Sequence, residues 1–219
     1  DLKNVIIRST SGLKHDMLDL TGGVTFYDAN VSMEDVLFET TIAEDALNLV
    51  STKYSLKNVE FSETISDAFD SDFSSGKIIA SVFNNIQGDA LDFSGSDCDI
   101  KDVDISGVRD KAISVGEKSR VFIENVHIKG IGVGVVSKDG SSASISNSSI
   151  KNYSLHAAMT YNKKGFYDGE TRIDISDTEV TGDHPFAMQP QTQLKVDGVE
   201  VPAINIDVRE LYQTDEMKK

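Results

Sequence analysis

The 219-residue sequence lacks tryptophan and has a single cysteine, Cys98, and three prolines. One cysteine excludes a disulfide framework and a cysteine-based metal site. Aromatic residues make up only 7% of the chain, which weakens any function that depends on stacking sugar rings against aromatic side chains. No apolar run approaches the length of a transmembrane helix, so we expect no membrane insertion.

Positive charge is also scarce. The 21 lysines and arginines face 36 aspartates and glutamates, which gives a formal net charge of −15. Such a chain repels phosphate backbones, so we expect no nucleic-acid partner, whereas cations suit it. The chain begins at Asp1 without a leader peptide, and we interpret it as a mature or excised piece of a larger protein.

One six-residue pattern recurs along the chain: apolar, any, Asn/Asp/Ser, small or apolar, any, apolar. It appears as "LKNVII" at Leu2, as "IENVHI" at Ile123 and, in its ninth copy, as "VDGVEV" at Val196. Successive copies are 31, 23, 23, 21, 23, 22, 30 and 21 residues apart. The residues at the third position are Asn4, Asp35, Asn58, Ser81, Asp102, Asn125, Asn147, Asp177 and Gly198.

A repeat of about 22 residues indicates a solenoid. Within each unit apolar residues alternate with a period of two, and no stretch shows the spacing of an amphipathic helix, so leucine-rich repeats do not fit. We therefore predict an all-β, right-handed parallel β-helix of about nine coils with two or three short strands per coil. The third-position column is expected to be an architectural ladder at one corner. A second column of small residues marks another tight corner: Ala46, Ala68, Ala90, Ala112 and Gly134.

The two long intervals predict inserted loops. We place them near residues 22–29 and 162–169, and each contains the tripeptide Phe-Tyr-Asp. Insertions in a solenoid often form its binding face, so Tyr27 and Tyr167 are candidate ligand contacts. Loops anchored by an aromatic residue are the alternative. The β-helix is expected to span residues 1–201, and residues 202–219 are expected to be a C-terminal cap or tail.

The repeated "I-x-N-V-x-I" units with "DAL" and "KAI" corners resemble the right-handed β-helix repeat proteins of the pectin-lyase-like superfamily. Within that group, residues 107–150 and 160–164 resemble β-helix modules of large bacterial surface proteins, some of which are joined to CotH-like kinase or lamin-tail domains. The resemblance implies a secreted or cell-surface setting in a bacterium. It also implies that enzymes on acidic polysaccharides are relatives, including lyases that combine a calcium-binding carboxylate cluster with an Arg or Lys base.

Acidic residues recur beside the small-residue corner. Asp70 and Asp92 are expected to point outward one coil apart, with Asp72 nearby, and hard oxygen ligands at this spacing suit Ca²⁺. Asp67 and Asp89 form a neighbouring column that Lys111 continues, so we assign these two aspartates to binding and Lys111 to a general base beside the metal. The alternative is a solvated acidic stripe in which Lys111 neutralises Asp89.

A second candidate site lies further along the chain. His156 and His184 fall at similar phases of the repeat, near Tyr161, and we treat the three as candidate ligand contacts.

Three functional hypotheses remain. The first is a non-catalytic module that presents an acidic face to a glycan, Ca²⁺ or a protein. The second is a calcium-dependent lyase or epimerase on acidic polysaccharide. The third is a structural spacer or a unit that associates end to end with other copies.

Overall fold

A computed structural model describes residues 1–213 of the chain. The described part is an all-β solenoid of about eight coils, which confirms the predicted parallel β-helix. Each coil passes through three faces, which we number from one of the central coils. Its first face is residues 53–57, its second face is residues 59–64, and its third face is residues 67–72.

The strands vary in length because some run through a corner from one face to the next. The first coils contain β1 (Leu2–Arg8), β2 (Leu13–His15), β3 (Leu18–Leu20), β4 (Gly22–Tyr27), β5 (Asn30–Glu39), β6 (Asp45–Val50), β7 (Lys53–Thr64), β8 (Asp67–Asp72), β9 (Ser75–Ile79), β10 (Val82–Ile86) and β11 (Leu91–Ser94). The later coils contain β12 (Asp97–Gly116), β13 (Arg120–Lys138), β14 (Ser142–Ser146), β15 (Ser149–Tyr161), β16 (Arg172–Ser176), β17 (Glu179–Thr181), β18 (Phe186–Met188), β19 (Gln193–Val196), β20 (Val199–Glu200), β21 (Ile204–Asn205) and the helix α1 (Val208–Leu211).

No helix within residues 1–213 is both long enough and apolar enough to cross a bilayer.

The corner between the first and second faces is a single residue with a positive φ. Asn58, Asp102 and Asn125 occupy it with φ of 51°, 56° and 53°. Asn and Asp tolerate this left-handed conformation better than most residues, which explains the recurrence of the third-position column. The side chains also connect neighbouring coils, since the Asn125 amide donates to Asp102 Oδ1 at 2.6 Å.

The sequence-based alignment of this column is wrong at two positions. In the fourth copy the corner is Ala80, with φ of 49°, and not Ser81. Ser81 faces inward, where its hydroxyl accepts a hydrogen bond from Val59 N at 3.1 Å. The ninth copy begins in β19, which still pairs in parallel with β16, but it does not complete a coil. Asp197 and Gly198 instead form the two-residue turn of an antiparallel hairpin between β19 and β20.

The first inserted loop also lies elsewhere than predicted. Residues 22–27 form β4, a regular strand of the third face that pairs in parallel with β6. The extra residues form the antiparallel hairpin of β2 and β3. The segment "GGVTFYDA" suggests a loop because it contains residues that are common in turns. The two glycines at its start interrupt the alternation of apolar residues by which a strand is recognised. The second insert begins at Asn162, after β15.

The described part of residues 202–219 contains β21 and α1. Strand β21 pairs with β18. Ile206, Val208, Leu211 and Tyr212 pack on an outward-facing apolar cluster of Val133, Val136, Met159, Tyr161 and Ala187. The segment therefore covers the third face of the last coils. The polar tail predicted for the C-terminus falls largely on residues 214–219, which lie outside the described residues.

Aromatic and aliphatic side chains stack in the interior in the same register as the backbone. Phe38, Phe61 and Phe83 occupy one column, with ring centroids 4.6 Å and 5.0 Å apart and nearly parallel planes. Each ring fills the space left by its neighbours in the adjacent coils, so the interior is a continuous core along the solenoid.

A second ladder runs inside the corner that follows the third face. Thr52 N donates to Ser74 Oγ, Ser74 N donates to Ser96 Oγ and Ser96 N donates to Ser119 Oγ, each at 2.9 Å. Ser119 N continues the ladder to Ser141 Oγ at 3.1 Å. These buried hydroxyls satisfy backbone N–H groups that strand pairing leaves over.

We expect Ser96→Ala to destabilise the solenoid by about 1–3 kcal/mol, because it leaves the buried Ser74 N–H without its acceptor. Denaturant unfolding followed by circular dichroism measures the change. Ser32→Ala, at an exposed position of β5, is the matched control and should stay within about 0.5 kcal/mol of the parent. Equal effects of the two substitutions would contradict a stabilising role of the ladder.

Candidate functional site

The acidic residues predicted as ligands lie on the third face. Strand register places Asp92 opposite Asp70, with Asn48 and Ser114 on the flanking coils. Ser94 lies opposite Asp72. Both rows point away from the core and are partly exposed at the central coils. The aspartates of this outward surface, Asp70, Asp72 and Asp92, are called the acidic stripe below.

A buried row of charged residues lies next to the stripe. Asp67 Oδ1 accepts a hydrogen bond from Asp89 N at 2.8 Å, and Asp89 Oδ1 accepts one from Lys111 N at 3.0 Å. Asp45, one coil earlier, accepts from the Thr21 hydroxyl at 2.9 Å. In this row the carboxylates of Asp67 and Asp89 accept backbone N–H groups of the next coil, as the serine hydroxyls do in the ladder described above. Asp67 and Asp89 therefore hold the backbone of the next coil and are buried, whereas the sequence predicted exposed ligand contacts.

Lys111 does not suit the predicted role of a general base. Its side chain is only 3% exposed, and Nζ lies 3.1 Å from Asp89 Oδ1 and 2.5 Å from Asp110 Oδ2. Burial alone would lower the pKa of Lys111, but the attraction of these two carboxylates outweighs it and raises the pKa above its usual value. A base must be deprotonated and must reach its substrate, so Lys111 is a structural counter-ion.

The acidic stripe concentrates negative charge in a partly buried place. Asn48 Nδ2 donates to Asp70 Oδ2 at 2.8 Å and lies 3.5 Å from Asp72 Oδ2. Burial, followed by repulsion from Asp92 and Asp72, raises the pKa of Asp70 to about 9. Burial also raises the pKa of Asp72. The stripe therefore holds a proton at neutral pH when no other cation neutralises it.

Three carboxylates come close enough to share a cation. One oxygen each of Asp67, Asp89 and Asp92 lies within 4.8 Å of the other two. Asp92 is the member of this trio on the acidic stripe, with Asp70 beside it in the next coil. Oxygen-rich surroundings of this kind suit a hard cation such as Ca²⁺ better than a transition metal.

Sequence reasoning missed Lys138. Its Nζ lies 3.9 Å from Asp92 Oδ1 and donates to Ser114 Oγ at 3.0 Å. The side chain reaches back along the solenoid over Gly116, where an added Cβ would come within 2.7 Å of Lys138 Cε. The signal was present, since Asp72, Ser94, Gly116 and Lys138 follow each other at intervals of 22 residues.

The second candidate site is not formed as predicted. Tyr161 is fully buried beneath the C-terminal segment, and its hydroxyl lies 2.8 Å from that of Tyr212. Its role as a ligand contact is therefore wrong. His156 Nδ1 lies 2.8 Å from the backbone oxygen of His184, so these two residues do come together.

The two Phe-Tyr-Asp segments do not flank a common groove. Tyr27 is exposed at the end of β4 in the first coil. Tyr167 belongs to the second insert, and its hydroxyl donates to Glu117 Oε2 at 3.3 Å. That insert is held against the solenoid, because Lys163 N and Lys164 N both donate to Asp139 Oδ1, at 2.6 Å and 2.7 Å. Lys164 also pairs with Glu117.

Parallel pairing of successive coils around one apolar core defines the molecule as a parallel β-solenoid. The family model described as "right handed beta helix region" matches residues 45–185. The chain belongs to this family of right-handed β-helix proteins. A search of curated proteins gave no match to the chain. The closer resemblance to bacterial modules with CotH-like or lamin-tail domains stays a prediction.

The raised pKa of Asp70 gives the stability a pH dependence with a definite sign. The folded state retains a proton on Asp70 that the unfolded state releases above about pH 4, so stability should fall as the pH rises towards about 9. Asp70→Asn mimics the protonated acid. In a chelating buffer its thermal midpoint should therefore exceed that of the parent at about pH 8 and depend less on pH.

Asp104→Asn, on an exposed position of the second face, is the control and should follow the parent curve. Parallel pH curves for the parent, Asp70→Asn and Asp104→Asn would show that Asp70 ionises without cost in the folded protein.

Proposed function

We propose that the chain is a non-catalytic β-helix module of a secreted or cell-surface protein, and that its acidic stripe binds Ca²⁺. The observation that supports this best is the excess of carboxylates on and under the third face. Two lysines, Lys111 and Lys138, lie among seven carboxylates. These carboxylates are Asp45, Asp67, Asp70, Asp72, Asp89, Asp92 and Asp110.

Asp92 is the central ligand in this proposal. It is the stripe residue whose carboxylate approaches Asp67 and Asp89, and it lies opposite Asp70 in the strand register. Asp70 and Asp72 supply further oxygens from the solvent side. Ca²⁺ accepts six to eight oxygens in irregular arrangements, whereas Mg²⁺ demands a near-octahedral set, so a site built on fixed strand positions favours Ca²⁺.

Calcium binding should also release the proton that the acidic stripe holds. Because the pKa of Asp70 is about 9, a divalent cation at neutral pH replaces a proton there. Calcium binding is therefore expected to release protons, and its affinity is expected to rise with pH.

A calorimetric titration with CaCl₂ at neutral pH tests the proposal, together with thermal unfolding in about millimolar calcium and in chelator. We expect heat of binding, proton release and a raised thermal midpoint, because a ligand that binds only the folded state stabilises it. Asp92→Asn and Asp72→Asn should each weaken binding at least about tenfold, which is about 1.4 kcal/mol.

Asp104→Asn serves again as the control and should bind as the parent does. Neither heat nor a thermal shift at about millimolar calcium would overturn the proposed calcium site. The stripe would then be an architectural consequence of the repeat.

The position of Lys138 favours one further candidate, a calcium-dependent lyase on acidic polysaccharide. A lyase needs a cation to acidify the proton next to a carboxylate and a base to remove it. Lys138 Nζ lies 3.9 Å from Asp92 Oδ1 and is partly exposed, so it meets the requirement of access that Lys111 fails.

Incubation of the calcium-loaded protein with acidic polysaccharides, followed by ultraviolet absorbance of the unsaturated product, tests this candidate. Product that disappears in Lys138→Gln, while calcium binding persists, would establish the lyase and overturn the non-catalytic assignment. We expect no product.

A further inference from the structure

Lys111 and Asp89 form the most buried ion pair within residues 1–213. The lysine side chain is 3% exposed, and the aspartate side chain is not exposed at all. Lys101 and Glu124, by contrast, pair on the surface with both side chains about half exposed. Taking two opposite charges out of water is costly, and a neutral arrangement of the same groups avoids that cost.

The amino group of Lys111 lies against the whole carboxyl group of Asp89. Nζ is 3.1 Å from Oδ1 and 3.4 Å from Oδ2. Two such similar distances place Nζ beside the carbon Cγ that joins these oxygens, and not at the tip of one of them. The carboxyl group is held in this position, because Oδ1 also accepts the backbone N–H of Lys111 at 3.0 Å.

A third group is in position to move a proton between these two. Asp110 Oδ2 lies 2.5 Å from Lys111 Nζ, and the side chains of Asp110 and Asp89 also contact each other. Asp110 can therefore take a proton from the amino group and give one to an oxygen of Asp89. Its side chain is 12% exposed, so it also connects this interior site with solvent.

The surroundings of the three groups are apolar on the side of the core and of the next coil. In the strand register Lys111 is followed by Val133, which is fully buried. Ala90 and Ala112, which follow Asp89 and Lys111 in the chain, are fully buried as well. Water that would solvate the charges, or hydrolyse a bond between the groups, is kept out on these sides. Such a site favours uncharged forms.

We propose that the side chains of Lys111 and Asp89 join in an amide bond, which links two successive coils covalently. Lys111 Nζ passes one proton to Asp110, then attacks Cγ of Asp89 and forms the C–N bond. A C–O bond of Asp89 breaks, and its oxygen leaves as water with the proton from Asp110 and a second proton from Nζ. An ammonium and a carboxylate thus become one amide and one water. Asp110 is regenerated, and no oxidant or other reactant is needed.

The bond needs to form only once in the life of each molecule. Burial favours the neutral form of Lys111, but the two carboxylates outweigh burial and raise its pKa, so the neutral amine that attacks is rare. The fixed contact between the reacting groups compensates, since orientation of this kind is equivalent to a very high effective concentration. The amide removes two charges from the interior and is shielded from water there, so the product accumulates.

The mass of the intact chain, measured by mass spectrometry in a denaturing solvent with chelator, tests the bond. We expect the chain, once folded, to weigh one water molecule less than its sequence requires. Lys111→Arg keeps the positive charge, but a guanidinium stays protonated and does not attack, so this variant should show the full mass. Lys101→Arg alters a lysine of an exposed ion pair and is the matched control, which should retain the loss of water.

Tryptic peptides locate the bond. Trypsin does not cleave after a lysine whose amine is acylated, so residues 78–101 should be found joined to residues 110–118. Cleavage after Lys101 in the same digest shows that the amine of the surface pair is free. Asp110→Asn removes the group that carries the proton and should reduce the linked fraction at least tenfold.

The full mass in the parent chain would overturn the proposal, and this measurement does not depend on the folding of any variant. A loss of water that persists in Lys111→Arg, or that the peptides place elsewhere, as in a succinimide at Asp139, would overturn it as well. An unchanged linked fraction in Asp110→Asn would overturn the route through Asp110. The calcium titration is a separate test, because the acidic stripe takes no part in the bond and Asp89 keeps one of its oxygens.

Discussion

The structure depends on buried hydrogen bonds that tie each coil to the next in one register. Strand pairing alone leaves backbone N–H groups at the corners without partners, and a buried unpaired N–H is costly. Serine hydroxyls satisfy them on one side of the third face, through Ser74, Ser96 and Ser119. Aspartate carboxylates satisfy them on the other side, through Asp67 and Asp89. Because a slip by one residue would break every bond in these ladders, the coils stay aligned.

The acidic stripe follows from that alignment. Once Asp67 and Asp89 are fixed as acceptors, Asp70 and Asp92 are placed on the outward surface three residues further along each coil and directly opposite one another. Lys111 ends the buried ladder and pairs with Asp89 and Asp110, and the stripe beside it adds three further carboxylates. The architectural role of the row accounts for Asp67 and Asp89, and the remaining charges of the stripe are the ones on which the proposed calcium site rests.

The sequence predicted the fold class, the period and the position of the stripe, because a column of like residues at constant spacing has one simple geometric meaning. The sequence did not locate the corner correctly where two alignments of the repeat fit equally well, as with Ala80 and Ser81. The positive φ of Ala80 and the inward hydrogen bond that Ser81 accepts from Val59 distinguish the two alignments. The sequence also failed for Lys111 and Tyr161 because period alone does not tell an outward surface from one covered by another segment. Lys138 was missed because its partner lies two coils away, across Gly116, and such a reach is visible only in three dimensions.

The outward row of the third face changes from acidic to apolar side chains along the solenoid. This change determines which part of the face the C-terminal segment covers. It runs from Asp70 and Asp92 through Ser114 to Val136 and Met159. Exposure of the apolar half to water would cost free energy, and the segment around α1 covers this half. The same segment would bury the charged carboxylates of the stripe if it extended over the acidic half, which costs far more than exposure. Within residues 1–213, the C-terminal segment therefore stabilises the last coils by covering their apolar half and does not pack on the acidic stripe.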